Sequence, residues 1–101
     1  MRYRFEDKGV FYIDSLQGCD QVAVSHGAFL LPQYRGKNIG KTFGVTRVET
    51  MLSLGYNMGI ATVDLKNQAQ LRTMDGRWEH VSSFESSKTG NNVGVFLIKL
   101  T

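Results

Sequence analysis

The sequence predicts an α/β (α+β) domain built around one mixed central sheet. Apolar segments typical of strands alternate with two segments typical of helices, in the order β-β-β-α-β-α-β-β. A length of 101 residues allows one hydrophobic core, so residues 1–101 form a single domain. No repeat, low-complexity tract or linker divides the chain. Because helices lie between strands, we expect parallel and antiparallel pairs in the same sheet.

The first third of the chain predicts three strands joined by turns. Residues 2–6 and 10–13 flank Asp7-Lys8-Gly9, which is a hairpin signal. Residues 17–20 form a second turn. Residues 21–31 are apolar and β-branched at their start, and they predict a long strand that stops at the chain's single proline.

The middle of the chain predicts a long helix over residues 38–54. Its apolar side chains are spread over a wide arc, so we expect the helix to be buried on more than one side. Gly55 and Asn57 end it. Residues 60–65 then predict a short buried strand.

The last third predicts a short helix and a pair of strands. Residues 67–74 form the helix, and Asn67 is its expected N-cap. Residues 78–84 and 93–100 are strands that can pair across the polar run SSFESSKTGNN.

Composition and charge exclude several classes of protein. The single cysteine, Cys19, excludes an intrachain disulfide, and we expect no metal site because a thiolate cluster needs several such ligands. The N-terminus lacks the apolar core of a signal peptide, and no segment approaches the roughly 18 consecutive apolar residues that span a bilayer. We therefore expect a cytoplasmic protein without a membrane partner. The net charge of +3 is scattered, which favours a solvated surface over a nucleic-acid interface.

The segment LLPQYRGKNIGKTF, residues 30–43, carries the most chemistry. It joins a long strand to a helix, and the first amides of a helix are unpaired and attract anions. Gly36 and Gly40 permit close approach of the backbone to a ligand. The segment also carries three basic side chains, Arg35, Lys37 and Lys41. This pattern suggests a diphosphate site, but the spacing alone leaves open an ordinary charged turn, since the Walker and three-glycine dinucleotide patterns are absent.

The same loop resembles that of a known family, the GNAT superfamily of acetyl-CoA-dependent N-acetyltransferases. PQYRGKNIG, residues 32–40, is similar to the family's P-x-Y-R-G-K-G-I-G loop. The family's Q/R-x-x-G-x-G/A signature is matched by Gln33 and Gly36, with Asn38 in place of the second glycine. Asparagine is the non-glycine residue that best tolerates a left-handed backbone.

A second match follows at the family's spacing. VDLKNQAQLR, residues 63–72, resembles the family's strand followed by N-x-x-A/S-x-R, and residues 79–81 resemble a later strand. The resemblance covers about residues 20–100 and implies a minimal GNAT-like fold without the family's N-terminal strand and its two following helices.

The resemblance implies acetyl-CoA as the cofactor and an amine as the acceptor. Backbone amides of residues 35–40 would hold the pyrophosphate, residues 29–31 would pair with the pantetheine arm, and Asn67 would face the acetyl end. The implied cofactor-binding residues are Phe29, Leu30, Leu31, Gln33, Arg35, Gly36, Lys37, Asn38, Ile39, Gly40, Lys41 and Asn67.

His26 is the candidate general base. By strand alternation it should share a face with Ala28 and Leu30, and an unperturbed histidine titrates near neutral pH. A polar residue on a sheet surface is the alternative. The family's tyrosine acid falls on Met74, which cannot donate a proton.

These observations favour an N-acetyltransferase that transfers the acetyl group to an amine by direct attack. Two alternatives remain open at this point: a GNAT-like interaction module with weak or no activity, and a basic nucleic-acid-binding domain, which has less support. A thin core and an uncovered sheet face also allow a homodimer.

Overall fold

The computed structural model describes residues 1–35, 38–74 and 76–101. The elements follow the predicted order, with one short 3-10 helix, Pro32–Tyr34, before the first α-helix. The strands and helices are β1 (Arg2–Phe5), β2 (Gly9–Leu16), β3 (Cys19–Leu30), α1 (Ile39–Ser53), β4 (Met58–Asp64), α2 (Gln68–Arg72), β5 (Trp78–Glu85) and β6 (Asn92–Lys99). None of the described helices is long and apolar enough to cross a membrane.

The six strands form one mixed sheet in the order β1-β2-β3-β4-β6-β5. Residues 22–25 of β3 pair in parallel with residues 58–61 of β4, and the other described pairs are antiparallel. We call this short parallel pairing the parallel seam. The predicted mixed sheet is therefore confirmed, as is the predicted pairing of the last two strands.

Strands β2 and β3 are longer than predicted because the turn between them is tighter. β2 extends to Leu16, three residues beyond the predicted strand, and β3 begins at Cys19, inside the segment that the sequence indicated as a turn. Gly18 has a φ of 85°, a left-handed conformation that glycine adopts without a steric penalty. The hairpin needs only that one glycine to reverse the chain.

Strand β3 carries a bulge where it leaves the sheet centre. Tyr12 pairs with His26 and Val10 pairs with Phe29, so two residues of β3 oppose one residue of β2. Gly27 occupies the bulge with a φ of 60°, and an added Cβ there would lie 2.7 Å from the Tyr12 ring. The bulge therefore requires glycine at position 27 for two reasons: the left-handed backbone and the lack of space for a Cβ.

The bulge overturns the predicted alternation of side chains along β3. His26 lies on the sheet face of Phe29, because the residues of β2 that pair with them are two apart. Ala28 and Leu30 pack toward the core on the other face. The expectation that His26 shares their face is wrong, since the extra residue shifts the alternation by one.

Helix α1 is buried on one face only. Its buried residues follow helical spacing and lie on one side of the helix, where Gly44 adjoins Thr73 after α2: Phe43, Gly44, Arg47, Val48 and Met51. Val45 and Leu52 are 38% and 42% exposed. The prediction of burial on more than one side is therefore wrong, because no described element packs against the outer face of α1.

The core lies between α1 and one face of the sheet. Phe43 of α1 contacts Phe5 and Phe11, with ring centroids 5.1 and 5.9 Å apart. An added Cβ on Gly59 would lie 2.8 Å from the sulfur of Met51, so this glycine lets the helix approach β4. The core cluster consists of Phe5, Phe11, Ile13, Ala23, Leu30, Phe43, Val48, Met51 and Ile98.

Candidate functional site

A cleft opens where β3 and β4 separate. Their parallel pairing ends at Ser25 and Ala61, and beyond that point β3 continues for five residues without pairing to β4. Because an unpaired strand edge presents free backbone N–H and C=O groups, this edge can bind an extended ligand as an added strand.

Two cavities occupy the cleft. The outer cavity encloses about 210 Å³ between β3, the start of α1 and α2. The inner cavity encloses about 200 Å³ at the point where the strands separate. The two share the lining residues Ala28, Asn67 and Gln70, so they are two parts of one cleft.

The start of α1 forms one wall of the outer cavity. Asn38 precedes the helix with a φ of 63°, the left-handed conformation that the sequence suggested for this position. No side chain caps the helix there, so its first amides are left without a side-chain acceptor. Gly36 and Lys37, two of the predicted cofactor-binding residues, lie outside the described residues.

Basic side chains surround the cleft entrance. Lys41 and Arg72 line a third cavity of about 250 Å³ that adjoins the start of α1. Arg35 lines the outer cavity, and its Nε donates a hydrogen bond of 2.7 Å to the Leu30 carbonyl. Its guanidinium also lies 5.0 Å from the centre of the exposed Phe29 ring. Arg35 is therefore held over the end of β3.

Asn67 caps α2 as the sequence predicts. Its Oδ1 accepts a hydrogen bond of 3.1 Å from the Gln70 amide. The cap fixes the start of α2 at the cleft, where Asn67 lines both the outer and the inner cavity.

The predicted cofactor-binding residues are only partly brought together. Leu31 lines a separate shallow cavity beside the β1–β2 turn, Ile39 packs against the core, and Gln33 is exposed in the 3-10 helix. Among the predicted cofactor-binding residues that the structure describes, those that line the outer or third cavity are Phe29, Leu30, Arg35, Asn38, Gly40, Lys41 and Asn67.

His26 lines the inner cavity and is held by Asp14. The Nε2 of His26 lies 2.7 Å from Asp14 Oδ2, and the imidazole stacks on Tyr12 with a centroid distance of 5.4 Å. The pKa of Asp14 lies below its ordinary value of 3.8, mainly because its carboxylate accepts a hydrogen bond from the amino group of Met1 and also because it accepts one from His26. Because an ionised carboxylate only accepts, Nε2 donates and the neutral ring keeps its lone pair on Nδ1.

Arg47 forms the buried floor of the inner cavity, and the sequence did not indicate it as a site residue. The side chain is 4% exposed, and Nε and Nη2 donate to the Ser25 hydroxyl at 3.3 and 2.9 Å. Burial lowers the pKa of Arg47 to about 10. No described carboxylate forms an ion pair with it. The only sequence signal is a charged residue on the apolar face of α1.

Met74 follows α2 and is half-buried. It is not among the described residues that line the three cavities of the cleft. Across the same described part of the chain, no group of three or more His, Cys, Asp or Glu residues could hold a metal ion.

The fold is that of acetyltransferases of the GNAT family. One match is an acetyltransferase of GNAT family from Streptococcus pneumoniae, with a TM-score of 0.75, 14% identity, and coverage of 93% of this chain and 60% of that chain. Another is yncA from Salmonella typhimurium, solved with acetyl-CoA as its cofactor, with a TM-score of 0.78, 13% identity, and coverage of 93% and 58%. The ribosomal-protein-S18-alanine N-acetyltransferase from Escherichia coli matches with a TM-score of 0.75, 7% identity, and coverage of 100% and 69%.

These likenesses establish the fold. The chain spans about three fifths of the length of the Streptococcus and Salmonella proteins. No protein-family model matches the sequence, and no curated protein matches it. The chain therefore has a GNAT fold in a short form.

Proposed function

We propose that this chain binds acetyl-CoA in the cleft between β3 and β4 and transfers the acetyl group to an amine. The observation that carries the proposal is the separation of these two strands, which exposes a free strand edge beside the start of α1. Solved proteins of similar fold include one with acetyl-CoA and one bound to CoA.

The residues of the cleft fit such a ligand. The unpaired edge of β3 beyond Ser25 offers backbone groups to the amides of the pantetheine arm. The first amides of α1, together with Lys41 and Arg72 at the entrance, favour the negative pyrophosphate. An added Cβ on Gly40 would lie 3.2 Å from a Thr73 methyl group, so glycine keeps the entrance open.

The inner cavity holds the groups that would act on the acceptor. Bound acetyl-CoA would supply a thioester whose acetyl group forms a bond to the acceptor nitrogen while its C–S bond breaks and CoA leaves. The Nδ1 lone pair of His26 takes the proton that the amine loses. Asp14 holds the opposite ring nitrogen and stabilises the imidazolium that forms. Solvent protonates the departing thiolate, because Met74 has no proton to give.

A second candidate function is a module that binds acetyl-CoA without turning it over. The position of Met74 supports it, because this residue carries no acid and lies outside the lining of the cleft. Measurement of CoA release with a panel of amines separates the two candidates. We expect slow release, since positioning remains while an acid contributes about two to four powers of ten. Bound acetyl-CoA with no release from any amine would leave only the binding module.

Binding itself is tested by filling the outer cavity. Ala69 is exposed on α2 and lines this cavity, so Ala69→Trp should fill it without disturbing the core. We expect calorimetry to show at least a tenfold loss of acetyl-CoA affinity, because the indole occupies the ligand's path. The matched control is Gln68→Trp, which adds the same side chain at the neighbouring exposed position of α2, outside the cavity lining. Equal affinity in wild type and Ala69→Trp would overturn the proposal.

A further inference from the structure

The inner cavity contains a buried positive charge that pairs with no carboxylate among the described residues. Arg47 is 4% exposed and donates hydrogen bonds to the Ser25 hydroxyl, which is itself 3% exposed. Its guanidinium also lies 5.7 Å from the centre of the Phe43 ring, a contact that offsets part of the cost of burial. A pKa of about 10 keeps the guanidinium protonated at neutral pH. A buried charge without an opposite charge beside it destabilises a fold, so an anion that binds there would be favoured.

The acidic residue that shares this cavity does not offset Arg47. Asp64 lines the inner cavity, but its Oδ1 accepts from the Lys66 amide and its Oδ2 accepts from the Asn91 side chain, both at 2.9 Å. Asp14 is bound to His26 and to the amino group of Met1. Both carboxylates therefore have hydrogen-bond partners other than Arg47.

We propose that Arg47 binds a carboxylate carried by the acceptor, so that the substrate is an amino acid or a similar small carboxylate-bearing amine. This inference rests on the proposed function. Arg47 is a buried cation in the lining of this cavity, and a guanidinium can bind a carboxylate through two parallel hydrogen bonds. Asp64 lines the cavity as well, and its two carboxylate oxygens already accept hydrogen bonds from the Lys66 amide and Asn91.

The Ser25 hydroxyl accepts from Arg47 and keeps its own proton to donate to the same carboxylate. His26 lines the same cavity, but its side chain lies on the opposite sheet face from Ser25. The ligand must therefore reach through the gap between β3 and β4, with its carboxylate at Arg47 and its amine at the base.

The first test measures ligand binding without acetyl-CoA. Thermal unfolding is followed with glycine, L-alanine and L-serine, each compared with its own amide at matched ionic strength. We expect the amino acids to raise the Tm of the wild type and the amides to leave it unchanged, because only the former carry a carboxylate. In Arg47→Met we expect this difference to disappear. The matched control is Arg2→Met, which removes the same charge at an exposed position of β1 and should keep the difference.

The Arg47→Met protein should fold. Replacing an unpaired buried charge by an apolar side chain of similar length is neutral or stabilising in other proteins, so we expect an unchanged or higher Tm without ligand. The double variant Ser25→Ala/Arg47→Met also removes the hydroxyl that would be left without its donor. If either variant folds and still responds to amino acids as the wild type does, the inference is wrong.

The second test uses turnover. In the wild type, kcat/KM for an amino acid should exceed that for its amide by about tenfold to a hundredfold, the range of a charged hydrogen-bonded pair, and Arg47→Met should abolish the preference. Equal use of acids and amides by the wild type would overturn the inference. These tests distinguish the inference from the proposed function. A Tm shift that depends on the carboxylate, in a protein that does not bind acetyl-CoA, would contradict the proposed function but not the binding of a carboxylate by Arg47.

Discussion

His26 is the side chain that acts as the base in the proposed mechanism. The ring is 49% exposed, stacks on Tyr12 and donates to Asp14, so its orientation is fixed while one nitrogen stays accessible. A general base must be unprotonated to act, which makes turnover fall toward acid pH. We expect His26→Ala to lower turnover by about a hundredfold and to remove this acid limb from the pH–rate profile.

The chain supplies its own control for this substitution. His80 is the other histidine, and it lies on β5, exposed and hydrogen-bonded to Ser83 at 2.8 Å. His80→Ala should leave the profile unchanged. Asp14→Asn keeps the size of the side chain but removes the charge that stabilises the imidazolium, so we expect a smaller loss than for His26→Ala. An identical pH–rate profile in wild type and His26→Ala would exclude His26 as the base.

The sequence predicted the local conformations at Asn38 and Asn67 but not the contacts of Arg47 and Asp14. Asn38 and Asn67 were found because helix ends have local rules, and a left-handed residue or a cap can be inferred from a few neighbours. Arg47 and Asp14 depend on partners that are distant in sequence, Ser25 and His26. The first pair depends on how α1 packs on β3, and the second depends on the register of β2 against β3, and neither can be inferred from neighbouring residues in the sequence.

At the level of elements, the contact between α1 and α2 sets the width of the cleft. An added Cβ on Gly44 would lie 2.0 Å from the Thr73 carbonyl oxygen, so the two helices touch through a residue without a side chain. α2 also supplies Asn67, Ala69 and Gln70 to the outer cavity. Any change that moves α2 therefore changes the site.

Gly44→Ala should separate these helices. We expect a net loss of up to about 2 kcal/mol of unfolding free energy, because an overpacking cost of about 1–3 kcal/mol exceeds the gain of about 1 kcal/mol in helix propensity. A Tm lower by several degrees and a weaker acetyl-CoA affinity should appear together in thermal unfolding and calorimetry.

The control for this variant is a glycine in open space. Gly76 has no neighbour within 4 Å of an added Cβ and no positive φ, so Gly76→Ala should leave both quantities unchanged. A Gly44→Ala protein as stable as the wild type, with the same affinity, would show that α2 is free to move without affecting the cleft.

Element positions were predictable to within a few residues, whereas their environments were not. Hydrophobic periodicity locates α1 because apolar residues recur along it, but it also indicated burial of Val45 and Leu52, which are exposed. Burial depends on what packs against each face, and the order of elements along a chain does not determine that. The exposed edge of β3 was expected from the resemblance of the loop and strand motifs, and periodicity alone would have indicated an ordinary strand.

For the whole molecule, the order of elements and the loop motif together predicted the fold. The predicted order was β-β-β-α-β-α-β-β, with a glycine-rich junction before α1. This combination is specific enough to indicate a GNAT-like sheet, and the structure confirms that fold. The position of β6 between β4 and β5 was not predicted. β5 and β6 form a hairpin, and no local pattern in the sequence shows which of its two strands pairs with β4.

The parallel seam divides the sheet into two antiparallel ladders, which are joined by one short strand pairing. Strands β1, β2 and β3 form one antiparallel unit and β4, β6 and β5 another, and only the pairing of residues 22–25 with 58–61 joins the two ladders. The two strands of the seam are separated along the chain by the whole of α1. Forming their pairing therefore costs loop-closure entropy, which the hairpins of the two antiparallel ladders largely avoid. The seam is therefore where the native state should open first.

A ligand bound in the cleft would contact both ladders and so stabilise the seam between them. We expect native-state hydrogen exchange to be faster at the seam amides than within either ladder, and saturating acetyl-CoA to slow the seam by about a hundredfold at a ligand concentration a hundred times its Kd. Amides of the β1–β2 pair should respond much less. Uniform exchange across all six strands would show that the sheet opens as one unit. If the seam opens first and acetyl-CoA slows it, then binding of the ligand is also what holds the two halves of the sheet together.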